Sequence, residues 1–327
     1  MGTYKGILGQ TVQSLGSDIT ASAATEGQVW YNSSSNVWKM VGYNTGTWSS
    51  APAMNTGRSN LIGSTQGTTS AMLVYGGPGP LNYQYTRYCE EYNGTSWTAQ
   101  NILNVGRSAM GTCGTAAAAV ANSGHNLTPG SGLLITELWN GTSWSNANNS
   151  NDVHKFCGGG GTQSAGIVAG GPGVNNEYFD GTTWTTQNDL PSPVSSNAMN
   201  GNQAEAYVAG GGPYSSATYD YDGTSWAAST AMSTGRTLPF LLGGNPNTDV
   251  VAGGGGDGPG SVTNVTEIWN GTSWSAGGAM SQARNDGGYG GTGTSGIAAG
   301  GAAADPGYRS ETELWATGYA VQTLTTD

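Results

Sequence analysis

Side chains able to do chemistry are scarce in this chain. Two histidines, His125 and His154, and three cysteines, Cys89, Cys113 and Cys157, make up its inventory of soft ligands and nucleophiles. A copper centre of two imidazoles and two phenolates would need both histidines at one point, but they lie in different segments. The cysteines are odd in number and lack Cys-x-x-Cys spacing, so they read as free, buried small residues. Asp257, Asp286 and Asp305 stand isolated in Gly-rich stretches without the spacing of a calcium loop. No acid pair suggests glycoside hydrolysis. A Ser-His-Asp or Cys-His constellation assembled only in space stays open. The expectation is a protein that is not an enzyme and holds no metal or cofactor.

The charge balance narrows the partners. Nine Lys plus Arg leave a net charge of −11, with no basic run to follow a nucleic-acid backbone or an anionic membrane surface. No apolar stretch approaches a membrane span. The opening "MGTYKGILGQTVQSLGSD" has no apolar core of the kind a secretory signal needs. Few charges and abundant Thr, Ser, Tyr and Trp favour strands over helices or charge-rich disorder. The 57 glycines suggest many tight turns.

Those strands repeat. Gly-Thr-x-Trp or Gly-Thr-Trp occurs six times, at Trp48, Trp97, Trp144, Trp184, Trp226 and Trp274, a mean period of about 45 residues. An apolar run ending in Gly-Gly keeps pace with it: "MLVYGG", "GIVAGG", "AYVAGG", "DVVAGG" and "GIAAGG", with "AAAAVANSG" filling the slot without the Gly pair. A third word precedes the Trp: "CEEY", "TELW", "NEYF", "TYDY", "TEIW" and a final "TELW". Ten residues after each Trp come Arg58, Arg107, His154, Val194, Arg236 and Arg284. The third word carries Glu90, Glu137, Glu177, Tyr219, Glu267 and Glu313. The fourth unit lacks both the basic residue and the acid, which predicts that the two pair within a unit as a partly buried ion pair.

Each unit therefore holds four strands: a after the Arg, b ending in Gly-Gly, c with the Glu, and d with the Trp. Asn-Gly, Asp-Gly and Thr-Gly pairs between c and d suit a tight hairpin. Four antiparallel strands per unit describe a blade, and six units describe a six-bladed, all-β propeller. The last unit has no Trp after strand c, and the first Gly-Thr-Trp has no a or b before it. The N-terminal strand around 43–50 is thus expected to close the ring as strand d of the sixth blade, in preference to "YAVQTL" at 319–324. Six rings at one strand position read as wedges between blades, each contributing roughly 2–3 kcal/mol by burial, rather than as ligand platforms. Asn-x-Ser/Thr at Asn93, Asn140 and Asn270 reads as turn geometry rather than glycosylation.

The Arg before strand a, the Gly-Gly of b, the aromatic residues of c and the Trp of d resemble kelch-type repeats, as in galactose oxidase-like propellers, over about 43–315. That resemblance implies the propeller fold and is silent on function. The segment "EGQVWYNSSSNVWKMVG" at 26–42 reads as a β-hairpin. Its Glu-Gly-Gln-x-Trp-Tyr-Asn resembles a segment of tail-fibre and other virion proteins of bacteriophages, especially marine ones. The resemblance implies a virion protein on the tail or surface, extracellular, with residues 1–42 attaching to other virion proteins and residues 43–327 forming the propeller.

The c–d turns are nearly constant and the b–c connections vary, and the two leave opposite faces. Variable loops on a rigid scaffold are where binding concentrates. Tyr83, Tyr85, His125, Asn126, Tyr214, Asp257 and Tyr308 are the candidate contacts for a host-surface glycan or protein. Three rival readings stand beside this one: a purely structural capsid or tail decoration, a catalytic propeller, which the scattered histidines disfavour, and a cellular surface lectin. No coiled-coil heptads appear, so the oligomeric state is open.

Overall fold

The computed structural model describes residues 13–79, 82–85, 87–126, 132–245, 249–303 and 307–324. Residues 47–316 form one compact unit. Its first blade is the sheet Ile62–Gly63, Met72–Tyr75, Cys89–Tyr92 and Trp97–Gln100. Blade 2 is Gly111–Gly114, Ala119–Asn122, Thr136–Trp139 and Trp144–Ala147, and blade 3 is Gly158–Thr162, Ala165–Ala169, Asn176–Phe179 and Trp184–Thr186. Blade 4 is Ala198–Gly201, Ala206–Ala209, Thr218–Tyr221 and Trp226–Ala228, and blade 5 is Phe240–Asn245, Asp249–Gly253, Thr266–Trp269 and Trp274–Ala276. In blade 6, Gly288–Gly291 and Ser295–Ala299 pair with the start of Thr312–Thr323, which neighbours the end of Val37–Ala51. The chain is a six-bladed β-propeller, and the N-terminal strand supplies the outer strand of blade 6.

The inner strands touch in the cyclic order of blades 1 to 6 and back to 1. The second Gly of each b-strand end donates its N–H to the backbone of the next blade. Gly77 reaches the Arg107 carbonyl at 3.1 Å, Gly211 that of Arg236 at 2.9 Å, and Gly301 of blade 6 that of Arg58 in blade 1 at 2.8 Å. This last bond closes the ring. In blade 2 Ser123 and Gly124 take the place of the Gly pair, with φ of 56° and 85°, and Gly124 donates to His154. The glycine of this joint is obligatory: at Gly301 φ is 106° and a Cβ would sit 2.3 Å from the Asn285 carbonyl oxygen.

Each c–d strand pair stacks two rings. Tyr92–Trp97, Trp139–Trp144, Phe179–Trp184, Tyr221–Trp226, Trp269–Trp274 and Trp315–Trp48 have centroids 4.8–5.5 Å apart. The d-strand Trp also reaches the preceding blade. Trp184 Nε1 donates to Thr136 of blade 2 at 2.9 Å, Trp48 to Thr266 of blade 5 at 2.9 Å, and Trp97 to Thr312 of blade 6 at 3.0 Å. The turns themselves are closed by Asn93, Asn140, Asp180, Asp222 and Asn270, whose side-chain oxygens accept the N–H groups two and three residues on.

The basic and acidic columns meet inside the blades. Arg58 lies 2.9 Å from Glu90, His154 2.9 Å from Glu177, Arg236 2.5 Å from Glu267 and Arg284 3.2 Å from Glu313, and Arg107 contacts Glu137. All ten side chains are buried. Burial lowers the pKa of the four arginines, and the facing glutamates oppose it. In blade 5 the backbone adds further partners: Arg236 donates to the Gly254 and Val265 carbonyls, and Glu267 accepts the Ser233 and Thr234 N–H groups. Each pair thus ties strands b and c to the chain entering strand a. In blade 4 Val194 and Tyr219 join an apolar cluster instead. The three cysteines are free and buried.

Residues 13–46 and 317–324 make a second compact unit. Val29–Asn32 pairs antiparallel with the start of Val37–Ala51, Tyr31 opposite Trp38, and Gln13–Leu15 runs parallel to Val29–Asn32. Asn32 Oδ1 caps the turn by accepting the Ser34 and Ser35 N–H groups. Trp30 is buried in this unit, whereas Val29, Trp38 and Leu324 are exposed.

Candidate binding face

Two residues after each Arg-column position, the backbone turns left-handed without glycine. Asn60, Ala109, Phe156, Ser196, Leu238 and Asp286, one per blade, have φ between 48° and 63°. They form a collar of backbone hydrogen bonds at the hub. Ala109 N–H donates to the Asn60 carbonyl (3.0 Å), Phe156 to Ala109 (2.9 Å), Ser196 to Phe156 (2.7 Å), Leu238 to Ser196 (2.8 Å) and Asp286 to Leu238 (3.1 Å). At the sixth junction, between blades 6 and 1, the Asn60 N–H donates to the Asp286 carboxyl group. That carboxyl lines a cavity of about 30 Å³ on the axis, with Asn60, Phe156, Cys157, Leu238 and Tyr289. Asp286 is half-buried, and desolvation pushes its pKa up to about 8 against the Asn60 hydrogen bond.

Around the collar, the b–c connections prolong the blades as short ribbons. The residue after each Gly pair bridges inward to the residue after the Arg column: His125 to Ser108, Gly256 to Thr237, and Ala302 to Asn285. On its other side it pairs with the residue four before strand c: Pro78 with Tyr85, Gly256 with Val262, and Ala302 with Tyr308. The connections expected as variable loops therefore carry paired strands in blades 1, 5 and 6, because the ladder of a and b continues past the Gly pair.

Of the seven sequence candidates, only Tyr214 lines the cleft described below. Tyr83 and Tyr85 belong to the ribbon strand Asn82–Tyr85, and their side chains lie outside the described residues. His125 and Asn126 are half-buried on blade 2; the His125 ring stacks 5.1 Å from Phe156, and its Nε2 lies 3.3 Å from the Ser108 hydroxyl. Burial lowers the His125 pKa; the Lys155 charge adds to this, against a backbone hydrogen bond at Asn126. Asp257 is exposed on the ribbon of blade 5, and Tyr308 is half-buried in that of blade 6. Tyr214 lines an open cleft of about 210 Å³ with Thr237, Gly256, Ser261, Asn285 and Ala303. The cleft is thus assembled by blades 4, 5 and 6, and among the described residues no charged side chain lines it. Sequence reasoning missed Thr237, Ser261 and Asn285. Their signal was positional: Thr237 and Asn285 each follow an Arg of the repeated column.

The second histidine does no surface chemistry. His154 is buried on Glu177. Burial opposes its charge, but hydrogen bonds to Cys157 and Glu177 outweigh it and raise the pKa to about 10. Among the described residues, no three His, Cys, Asp or Glu side chains cluster as metal ligands.

No protein-family profile and no curated protein matches the sequence. Solved structures do match. One of them, YjhT, superposes with a TM-score of 0.68 over 83% of this chain and 99% of its own, at 14% identity. At that identity the likeness concerns the fold alone.

Proposed function

We propose that this chain is a non-catalytic, receptor-binding propeller of a bacteriophage virion, a tail-fibre or adhesin-type protein that recognises a glycan at the host surface through its b–c face. The observation that carries the reading is the asymmetry of the two faces. Five of the c–d turns repeat one Asx-closed geometry, whereas the b–c face varies from blade to blade and holds an uncharged cleft with hydroxyl, amide and phenol groups. The virion setting rests on the segment 26–32, "EGQVWYN", and on the low charge of the chain. The exposed Val29, Trp38 and Leu324 of the smaller unit favour a further role in assembly, as the surface that attaches to other virion proteins.

The test is adsorption of the purified full chain to host cells and to extracted surface polysaccharide. Binding that is lost on substitutions in the b–c ribbons and kept on substitutions in the c–d turns supports the reading. Absence of adsorption, with incorporation into particles that depends on residues 29–40, supports a purely structural role instead.

A further inference from the structure

Tyr214 holds an uncomfortable backbone. Its φ of 54° lies in the left-handed region, which glycine adopts freely and a bulky aromatic residue rarely does. The surrounding chain enforces this conformation. The Tyr214 carbonyl oxygen would be 2.1 Å from a Cβ placed on Gly235, so only glycine fits opposite it. The flanking Ser215 N–H donates to the Gly211 carbonyl at 2.8 Å, and the Arg236 N–H to the Ser215 carbonyl at 2.9 Å. Glycine at 214 would relieve the strain, yet the sequence keeps an aromatic residue there, and that residue borders the cleft. Tyr214 lies outside the collar, whose ring geometry imposes the left-handed backbone on Phe156 and Leu238, and strain retained there with a specific side chain points to a use for it.

The other walls define what the ring would meet. Thr237 and Ser261 bring hydroxyls, Asn285 an amide, and Gly256 a close approach of backbone. Each can donate or accept, and none carries charge. The volume of about 210 Å³ equals the liquid share of about seven waters at about 30 Å³ each. It is smaller than the roughly 300–1,000 Å³ that takes a drug-sized ligand. A compact ring bearing hydroxyls on its edge and C–H groups on a face matches an aromatic surface flanked by neutral hydrogen-bonding groups. A carboxylated or sulfated ring would find no cation there, in a chain of net charge −11.

We propose that the cleft between blades 4, 5 and 6 is a subsite for one uncharged pyranose unit, with Tyr214 supplying the stacking surface and Thr237, Ser261 and Asn285 the hydroxyl contacts. This rests on the glycan-binding reading and adds to it the place and the class of sugar. The test is saturation-transfer NMR and titration of the full chain with galactose, glucose, N-acetylglucosamine and glucuronic acid, on wild type, Tyr214→Gly and Ser261→Trp. Tyr214→Gly suits the left-handed backbone, so its melting temperature should equal or exceed that of wild type. The expected result is millimolar binding of at least one neutral sugar, little of glucuronic acid, and a loss of about tenfold or more in both variants. Neutral-sugar binding unchanged in both variants overturns the proposal, as does a preference for glucuronic acid. If the variants still adsorb to host cells as wild type does, the subsite is wrong while the receptor-binding reading stands. If neutral sugars occupy the cleft but no cell or polysaccharide is bound, the subsite stands and that reading fails.

Discussion

Replacing Asp286 with asparagine should stabilise the protein at pH 8, and by only about 1 kcal/mol at pH 4.5, just above the pKa of the unfolded carboxyl. Five junctions of the hub collar use a backbone carbonyl as acceptor, and the sixth uses the Asp286 carboxyl. The asparagine oxygen has the same reach and can accept the same Asn60 N–H without a charge. The sign follows from the raised pKa. The unfolded carboxyl titrates near 3.8 and the folded one near 8, so the native state holds a proton that the unfolded state releases. Stability from this group is complete below about pH 4, declines as pH rises, and is gone above about pH 8. The separation of about four units, at about 1.36 kcal/mol each, sets a ceiling of about 5 kcal/mol. Water drawn into the axial cavity beside the charged form reduces this, and we expect a gain of about 2–3 kcal/mol at pH 8, or about 5 °C in melting temperature for a chain of this size. Calorimetry or urea unfolding of both proteins at pH 4.5, 6.5 and 8 reads it. His154, raised to about 10, loses its own contribution between about pH 6.5 and 10, but it does so in both proteins and cancels in the difference. An Asp286→Asn protein that is less stable than wild type at pH 8, or a difference that does not grow with pH, would refute the reasoning.

Two further perturbations probe the blade architecture. Arg236→Val alone leaves Glu267 buried without its partner and should cost about 3–5 kcal/mol, whereas Arg236→Val with Glu267→Tyr, the combination found in blade 4, should recover at least half of the summed single losses; additive losses in urea unfolding would show that the pair is not coupled. Gly301→Ala puts a Cβ against the Asn285 carbonyl at the ring-closing bond and should cost more than 2 kcal/mol, against about 1 kcal/mol for Gly27→Ala, which has left-handed φ but open space around it; equal losses would mean that the close approach is unimportant.

The spacing of the sequence already carried most of this architecture. Shared loss of Arg and Glu in one unit, at Val194 and Tyr219, pointed to a pair before any distance was known. The missing Trp after Trp315 and the orphan Trp48 called for closure by the N-terminal strand. Composition misled in one respect. Glycine reads as turns, but Gly159 lies in an inner strand where a Cβ would fall 2.1 Å from the Thr112 carbonyl oxygen, so part of the glycine content reflects crowding at the hub. The collar was invisible because its left-handed positions are Asn, Ala, Phe, Ser, Leu and Asp, held there by ring geometry rather than by local preference. The cleft was only half legible. Tyr214 stood out as an aromatic residue in a variable segment, but which loops meet depends on blades 4, 5 and 6 being adjacent, and the walls are ordinary Thr, Ser and Asn.

The central claim is that recognition lives on the b–c face and not on the repeated turns. Hydrogen-exchange footprinting of the full chain with and without host surface polysaccharide tests it most directly. The account predicts slowed exchange at 212–217, 256–262 and 302–303 and no change at the turns 93–96, 140–143 and 270–273. Protection confined to those turns, or to residues 29–40, would contradict it.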